Sequence, residues 1–273
     1  MKKTLMALAI AVSTVSGSTM AAAWVQGGGG GSLQLGGTLT PQEKPTVEWQ
    51  TSVGGNKLDL DANVERGATQ INVPVSSPIP VLGIRFKTKS LFHGHDGISP
   101  QIDYHGAIDL SSFRKSEALL SLAVRDSTGS KIGSLSVPLL VGSEVSRSKM
   151  MSSLPIIPRP PVTHAIKEKF GVIANKKGDA FFGGLPISED GTSSDAVTRV
   201  GKINPDFIAT YDDQGGRQLD FAAETFKDKR YRYSAFYGAG IEAGKSISIK
   251  LDKPIDADSI KWTASLPITV TYI

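Results

Sequence analysis

The chain of 273 residues contains no cysteine. Disulfide scaffolds, catalytic thiols and zinc sites built on cysteine are therefore excluded, and stability has to come from burial of a core. Beyond the amino-terminal stretch there is no long apolar run, so a soluble, exported product is expected. A strong charge of either sign is also missing. The 30 basic and 26 acidic residues leave +4, an ordinary surface balance that gives no basis for nucleic-acid binding. There is no internal repeat, few heptad-like runs occur, and no Gly-x-Ser-x-Gly elbow is found. His164 stands alone among prolines and lysines, so a serine hydrolase lacks its base.

At the amino end, Met1-Lys2-Lys3 supplies positive charge, Leu5 to Val15 is mostly apolar, and Ala21 and Ala23 occupy small-residue cleavage positions. Residues 1–23 are read as a secretory signal peptide, with Trp24 the first mature residue. Five glycines, Gly27 to Gly31, follow closely. They carry no conformational preference and tether the next stretch loosely. That stretch, Ser32 to Thr40, alternates so that Leu33, Leu35, Gly37 and Leu39 share one side of an extended chain. A loosely tethered strand with one apolar face suits insertion into a sheet, including that of another molecule. Local pattern alone favours pairing within its own domain.

With 29 glycines and 15 prolines, the rest reads as many short strands joined by turns. Val47, Trp49, Thr51 and Val53 alternate and are followed by a turn at Gly54-Gly55-Asn56. Gln70 to Val75 is a strand that Pro74 confines to an edge or bulge. Leu120, Leu122 and Val124, a turn at Asp126 to Ser130, and Leu135 to Val141 predict a hairpin. Tyr231, Tyr233 and Tyr237 share a phase, as do Ile247, Ile249 and Leu251. Leu266, Ile268, Val270 and Tyr272 form a half-buried strand running to the last residues, which suggests that this end is recognised or locked. Between Gly142 and Lys229 the periodicity is poor. Val162 to Phe170 is read there as a short helix within an elaboration on the β scaffold.

The spacing of His93, His95, Asp96, Asp103 and His105 is compatible with zinc or copper, but two polar turns account for it better, since no second cluster supports a metal, and no metal site is assigned. Gly238-Ala239-Gly240 lacks the following helix of a nucleotide-binding turn, and Glu189 and Asp190 read as loop charges. Phe181, Phe182 and Tyr211 are candidate sugar platforms only by residue type. No catalytic residue and no cofactor is expected.

Several pieces, in order, resemble the FaeG family of K-eighty-eight-type fimbrial subunits. They are Met1 to Ala9, Trp24, Ser32 to Thr40 before Val47-Glu48-Trp49, Asp96-Gly97-Ile98 with Pro100-Gln101-Ile102, Gly129 to Ser134, Gly238 to Ala243, and Trp262 to Tyr272. The resemblance implies an all-β fold, an incomplete immunoglobulin-like β-sandwich completed by donor-strand exchange, with a large irregular, partly helical insertion. Residues 24–44 would be the donor extension and 45–273 the subunit domain, with the insertion at about 143–229. On this reading Leu33, Leu35, Gly37 and Leu39 fill the groove of a neighbouring subunit. A periplasmic chaperone pairs beforehand with Leu266, Ile268, Val270 and Tyr272. The other implied partners are neighbouring fimbrial subunits, an outer-membrane usher and host glycoconjugates. The implied role is a structural and adhesive subunit on the cell surface. Receptor-binding residues are not assigned, since the match is poor from Ser143 to Lys229. The rival reading is a secreted, monomeric, lectin-like β-sandwich whose amino-terminal strand folds into its own sheet.

Overall fold

A computed structural model describes residues 48–152, 163–256 and 259–273. The expected signal segment and the stretch expected to be a strand, with Leu33, Leu35, Gly37 and Leu39, lie outside the described residues. The described residues form twelve strands: β1 (Trp49–Val53), β2 (Gln70–Pro74), β3 (Ile79–Phe86), β4 (Phe92–His93), β5 (Pro100–Asp103), β6 (Glu117–Arg125), β7 (Lys131–Ser152), β8 (Thr163–Gly171), β9 (Arg217–Gln218), β10 (Arg232–Ile241), β11 (Ser246–Leu251) and β12 (Thr269–Tyr272). One helix, α1 (Ala196–Ile203), accompanies them.

The larger sheet runs β1-β3-β10-β7-β11-β2, with β4 also on β10, β6 and β8 on β7, and β9 on β8. The smaller sheet is β5 with β12, antiparallel, Val270 opposite Ile102 and Tyr272 opposite Pro100. Side chains from both sheets meet in one apolar cluster that includes Leu82, Ile84, Val141, Val145, Tyr237, Ile102, Val270 and Tyr272. The protein is an all-β sandwich.

Local chemistry explains most of these strands. The β6–β7 hairpin turns where expected, because the Asp126 carboxylate accepts from the backbone N–H groups of Thr128 and Ser130 and Gly129 takes φ +86°. In β11, Ile247, Ile249 and Leu251 are buried and the residues between them exposed. β2 is an edge strand, paired only with β11, so Pro74 breaks no ladder on its outer side. In β1 only Trp49 is buried, while Thr51 and Val53 are exposed. Its expected turn is absent: the Gly54 N–H bonds to Val81 O, and residues 54–64 carry on without strand pairing.

The helix expected over Val162 to Phe170 is instead a strand from Thr163, β8. It pairs along the second half of β7, with Glu168 opposite Arg147 and Phe170 opposite Val145. Phe170 is buried, Glu168 forms an ion pair with Arg147 at 3.0 Å, and the residues from Ala165 to Lys167 are exposed. Such an edge strand shows little alternation, and cross-strand pairing decides its conformation.

The outer face of the large sheet carries a second, smaller core of Leu140, Val200, Ile203, Phe207 and Phe236. It is seated on a row of glycines. Gly83 of β3, Gly238 of β10 and Gly142 of β7 stand opposite one another. A Cβ at Gly83 would fall 2.2 Å from the Phe207 ring, and one at Gly238 would fall 2.3 Å from Val200. Three adjacent strands without side chains thus form a trough into which α1 and the 3-10 turn Pro205–Ile208 descend. The Asn204 side chain caps that turn by accepting from the Asp206 N–H.

Candidate functional site

From Trp262 to Tyr272 the chain alternates strictly between half-buried and exposed residues. Trp262, Ala264, Leu266, Ile268, Val270 and Tyr272 form the inward side, and all pack against the main core. The sequence therefore shows the phase of Leu266, Ile268, Val270 and Tyr272 correctly. Each stays only half covered.

Hydrogen bonding along this segment is uneven. Thr263 exchanges two backbone bonds with Arg125, and Thr269–Tyr272 pairs with β5. Ile273 and Ser99 exchange backbone bonds of 3.1 and 3.2 Å. Between these anchors, the backbone of Ala264 to Ile268 has no backbone partner among the described residues. The same holds for 55–64, where Leu60 packs on the core while Leu58 is 75% exposed. The two stretches differ in cover: Ala264, Leu266 and Ile268 are half-buried, whereas 55–64 is exposed apart from Leu60.

Among the described residues β1 and β12 are both edge strands, and they approach each other. Thr51 Oγ1 lies 3.4 Å from the Tyr272 hydroxyl. The floor nearby is rigid: the Trp49 indole N–H donates to Ile98 O at 2.8 Å, and Trp49 contacts Phe86, Phe92 and Phe181 edge-on. The buried Gln101 amide donates to the Pro100 and Asp179 carbonyls and accepts from the Gly178 N–H, which ties β5 to the excursion. Below β5, the Tyr104 and Tyr237 hydroxyls are 2.9 Å apart, and Tyr237 donates to Gly184 O. Burial pushes the ionisation of both phenols well above its usual range.

The other sequence candidates scatter. The His95 ring faces Asp96 O at 2.8 Å, whereas the His105 ring reaches Thr269 Oγ1 at 2.9 Å. Among the described residues, no group of three or more His, Asp or Glu side chains is arranged to hold a metal ion. The sugar-platform reading of the aromatics is overturned for Phe181, which is fully buried against Trp49, Phe226 and Tyr237. Tyr211 is half-buried, stacked edge-on against Phe236, and its hydroxyl donates to Glu144 at 2.8 Å. Phe182 packs on the core. Sequence reasoning missed segment 55–64 altogether, because its mixed polar residues show no period.

Comparison with known proteins identifies the family. A family model described as "Fimbrial, major and minor subunit" matches residues 1–273. The chain is 29% identical over 306 aligned positions to K88 fimbrial protein AC of Escherichia coli, and 100% of each chain is covered. It is 28% identical over 294 positions to the F41 fimbrial protein of the same organism, again with 100% of both chains covered. The chain therefore belongs to the family of fimbrial major and minor subunits, structural proteins of the cell-surface fimbrium.

Proposed function

We propose that this subunit joins its neighbours by donor-strand exchange. Residues 1–23 direct export and are removed, 24–44 are the donated extension, and 45–273 form the accepting domain, with 143–229 as an elaboration on it. The observation that supports this best is the segment from Ala264 to Ile268, half-buried on its apolar side and without backbone partners among the described residues. A donated strand would supply those partners and cover Leu266 and Ile268 with the side that carries Leu33, Leu35, Gly37 and Leu39. Before assembly a periplasmic chaperone occupies the same edge, along Leu266, Ile268, Val270 and Tyr272, and delivers the subunit to an outer-membrane usher. Attachment to host glycoconjugates is part of this reading.

The lack of cysteine makes a direct test simple. Leu33→Cys, Leu35→Cys or Leu39→Cys is combined with Ile268→Cys, and fimbriae are oxidised and run on denaturing gels. Donation between subunits gives a ladder of covalent multimers in at least one pair. Covalent closure confined to monomers in every pair that reacts means that the strand returns to its own domain, as in the lectin-like alternative.

A further inference from the structure

Where the loop over the outer sheet face ends, an open cavity of about 740 Å³ remains. Its floor is a cross-strand row. His93 of β4 stands opposite Arg232 of β10, Arg232 opposite Ser148 of β7, and Ser148 opposite Lys167 of β8. Residues directly opposite one another in a sheet project to the same face, so these side chains line up at strand spacing. Asp212 and Gln214 form the wall. They are fixed there because the Asp212 N–H donates to Ser234 Oγ and the Gln214 amide donates to Ser146 Oγ, one row inward.

The charges on this floor are not neutralised from within. Arg147 is held by Glu168 and Glu224, Lys169 by Asp213, and Arg230 by Asp228. Among the described residues, Lys167 and Arg232 have no carboxylate within ion-pair distance. Lys167 and Arg232 flank Ser148 from the strands on either side of it and face the same way, so an anion held over Ser148 would be within reach of both cations.

We propose that this cleft binds an acidic oligosaccharide, its sulfate or carboxylate held by Arg232 and Lys167 and its hydroxyls bonded by Asp212, Gln214 and Ser148. A carboxylate in the wall is unfavourable for a densely charged polyphosphate but suits a ligand rich in hydroxyl donors. Met150, 66% exposed at the rim, offers apolar surface to the carbon face of a sugar ring. The assignment rests on the proposed attachment to glycoconjugates but not on how subunits join, because all the residues belong to the body of one chain.

The test uses the exported full chain in whatever assembly state it accumulates, titrated with a heparin-derived hexasaccharide, with sialyllactose and with neutral lactose. At least one acidic ligand is expected to bind about tenfold or more tightly than lactose, with affinity falling as salt rises. The two acidic arms separate a sulfate from a carboxylate source. Lys167→Ala with Arg232→Ala should lower that affinity about tenfold or more, Arg232→Lys should keep most of it, and Lys250→Ala on β11 should leave it unchanged. Should the double variant accumulate poorly, Lys167→Gln alone is read, with a loss of about threefold or more expected. Equal binding of lactose, binding of neither acidic sugar, an unaltered affinity in the Lys167 and Arg232 variants, or preferential binding to phosphatidylserine vesicles overturns the proposal.

Discussion

The hydroxyls of Thr51 and Tyr272 lie 3.4 Å apart although 221 positions separate them in the chain. Among the described residues, β1, which carries Thr51, pairs only with β3, and β12, which carries Tyr272, pairs only with β5. This contact brings together strands that are edges of two sheets among the described residues. Exposed edges with apolar sides invite a further strand, and monomeric proteins normally cover or charge them.

The first prediction concerns the carboxyl end. Deleting Tyr272 and Ile273 removes both backbone bonds to Ser99 and the outermost pair of the β5–β12 ladder. The truncated chain should fail to accumulate in the periplasm, since its unpaired apolar edge is open to proteolysis and aggregation. An immunoblot checks this, and normal levels count against a role for this strand in chaperone recognition.

The buried phenols set a pH dependence. Burial raises the ionisation of Tyr104 and Tyr237 above the ordinary 10.0, so each contributes stability that is fully present below that value and is lost as pH rises beyond it. Urea midpoints, apart from other titrating groups, should hold steady up to about pH 10 and then fall. Tyr104→Phe with Tyr237→Phe should flatten that fall. Tyr237→Phe alone should cost about 1–3 kcal/mol, because it leaves the Gly184 carbonyl without its donor.

The glycine trough can be filled. Gly83→Val would drive two methyl groups into the Phe207 ring, already 2.2 Å from the first added carbon. Unfolding measurements should show a loss of about 1–3 kcal/mol or more. Part of it should return when Phe207→Ala is added, a coupling that independent sites would not show.

These positions also show what a sequence reveals of such a fold. The β6–β7 hairpin and β11 are legible because one face is buried and the other wet, so burial repeats every second residue. β10 is legible only in part. Tyr233 and Tyr237 face the main core, but Phe236 on the opposite face is also buried, under the excursion. β8 was unreadable because its conformation comes from β7 beside it, and Arg147 opposite Glu168 leaves no local mark. Gly83, Gly142 and Gly238 form a row only once three distant strands are side by side. At the candidate site, the phase from Leu266 to Tyr272 could be read directly, whereas the stretch 55–64 shows itself only by its missing backbone partners among the described residues.

The most direct test of subunit joining is the Leu35→Asp variant. Three leucines, Leu33, Leu35 and Leu39, moved from water into a groove contribute roughly 1.5–3 kcal/mol each before ordering costs, and a carboxylate buried unpaired in their midst costs several kcal/mol. The measurement is the polymer content of surface fractions, by gel without heating, beside the folded state of the subunit held by its chaperone. Donor-strand exchange predicts a soluble, folded Leu35→Asp subunit that does not join the preceding one, while Gln34→Ser on the opposite side polymerises normally. Polymers of Leu35→Asp at the level of the unaltered chain, or unfolding of the isolated Leu35→Asp subunit, would contradict it.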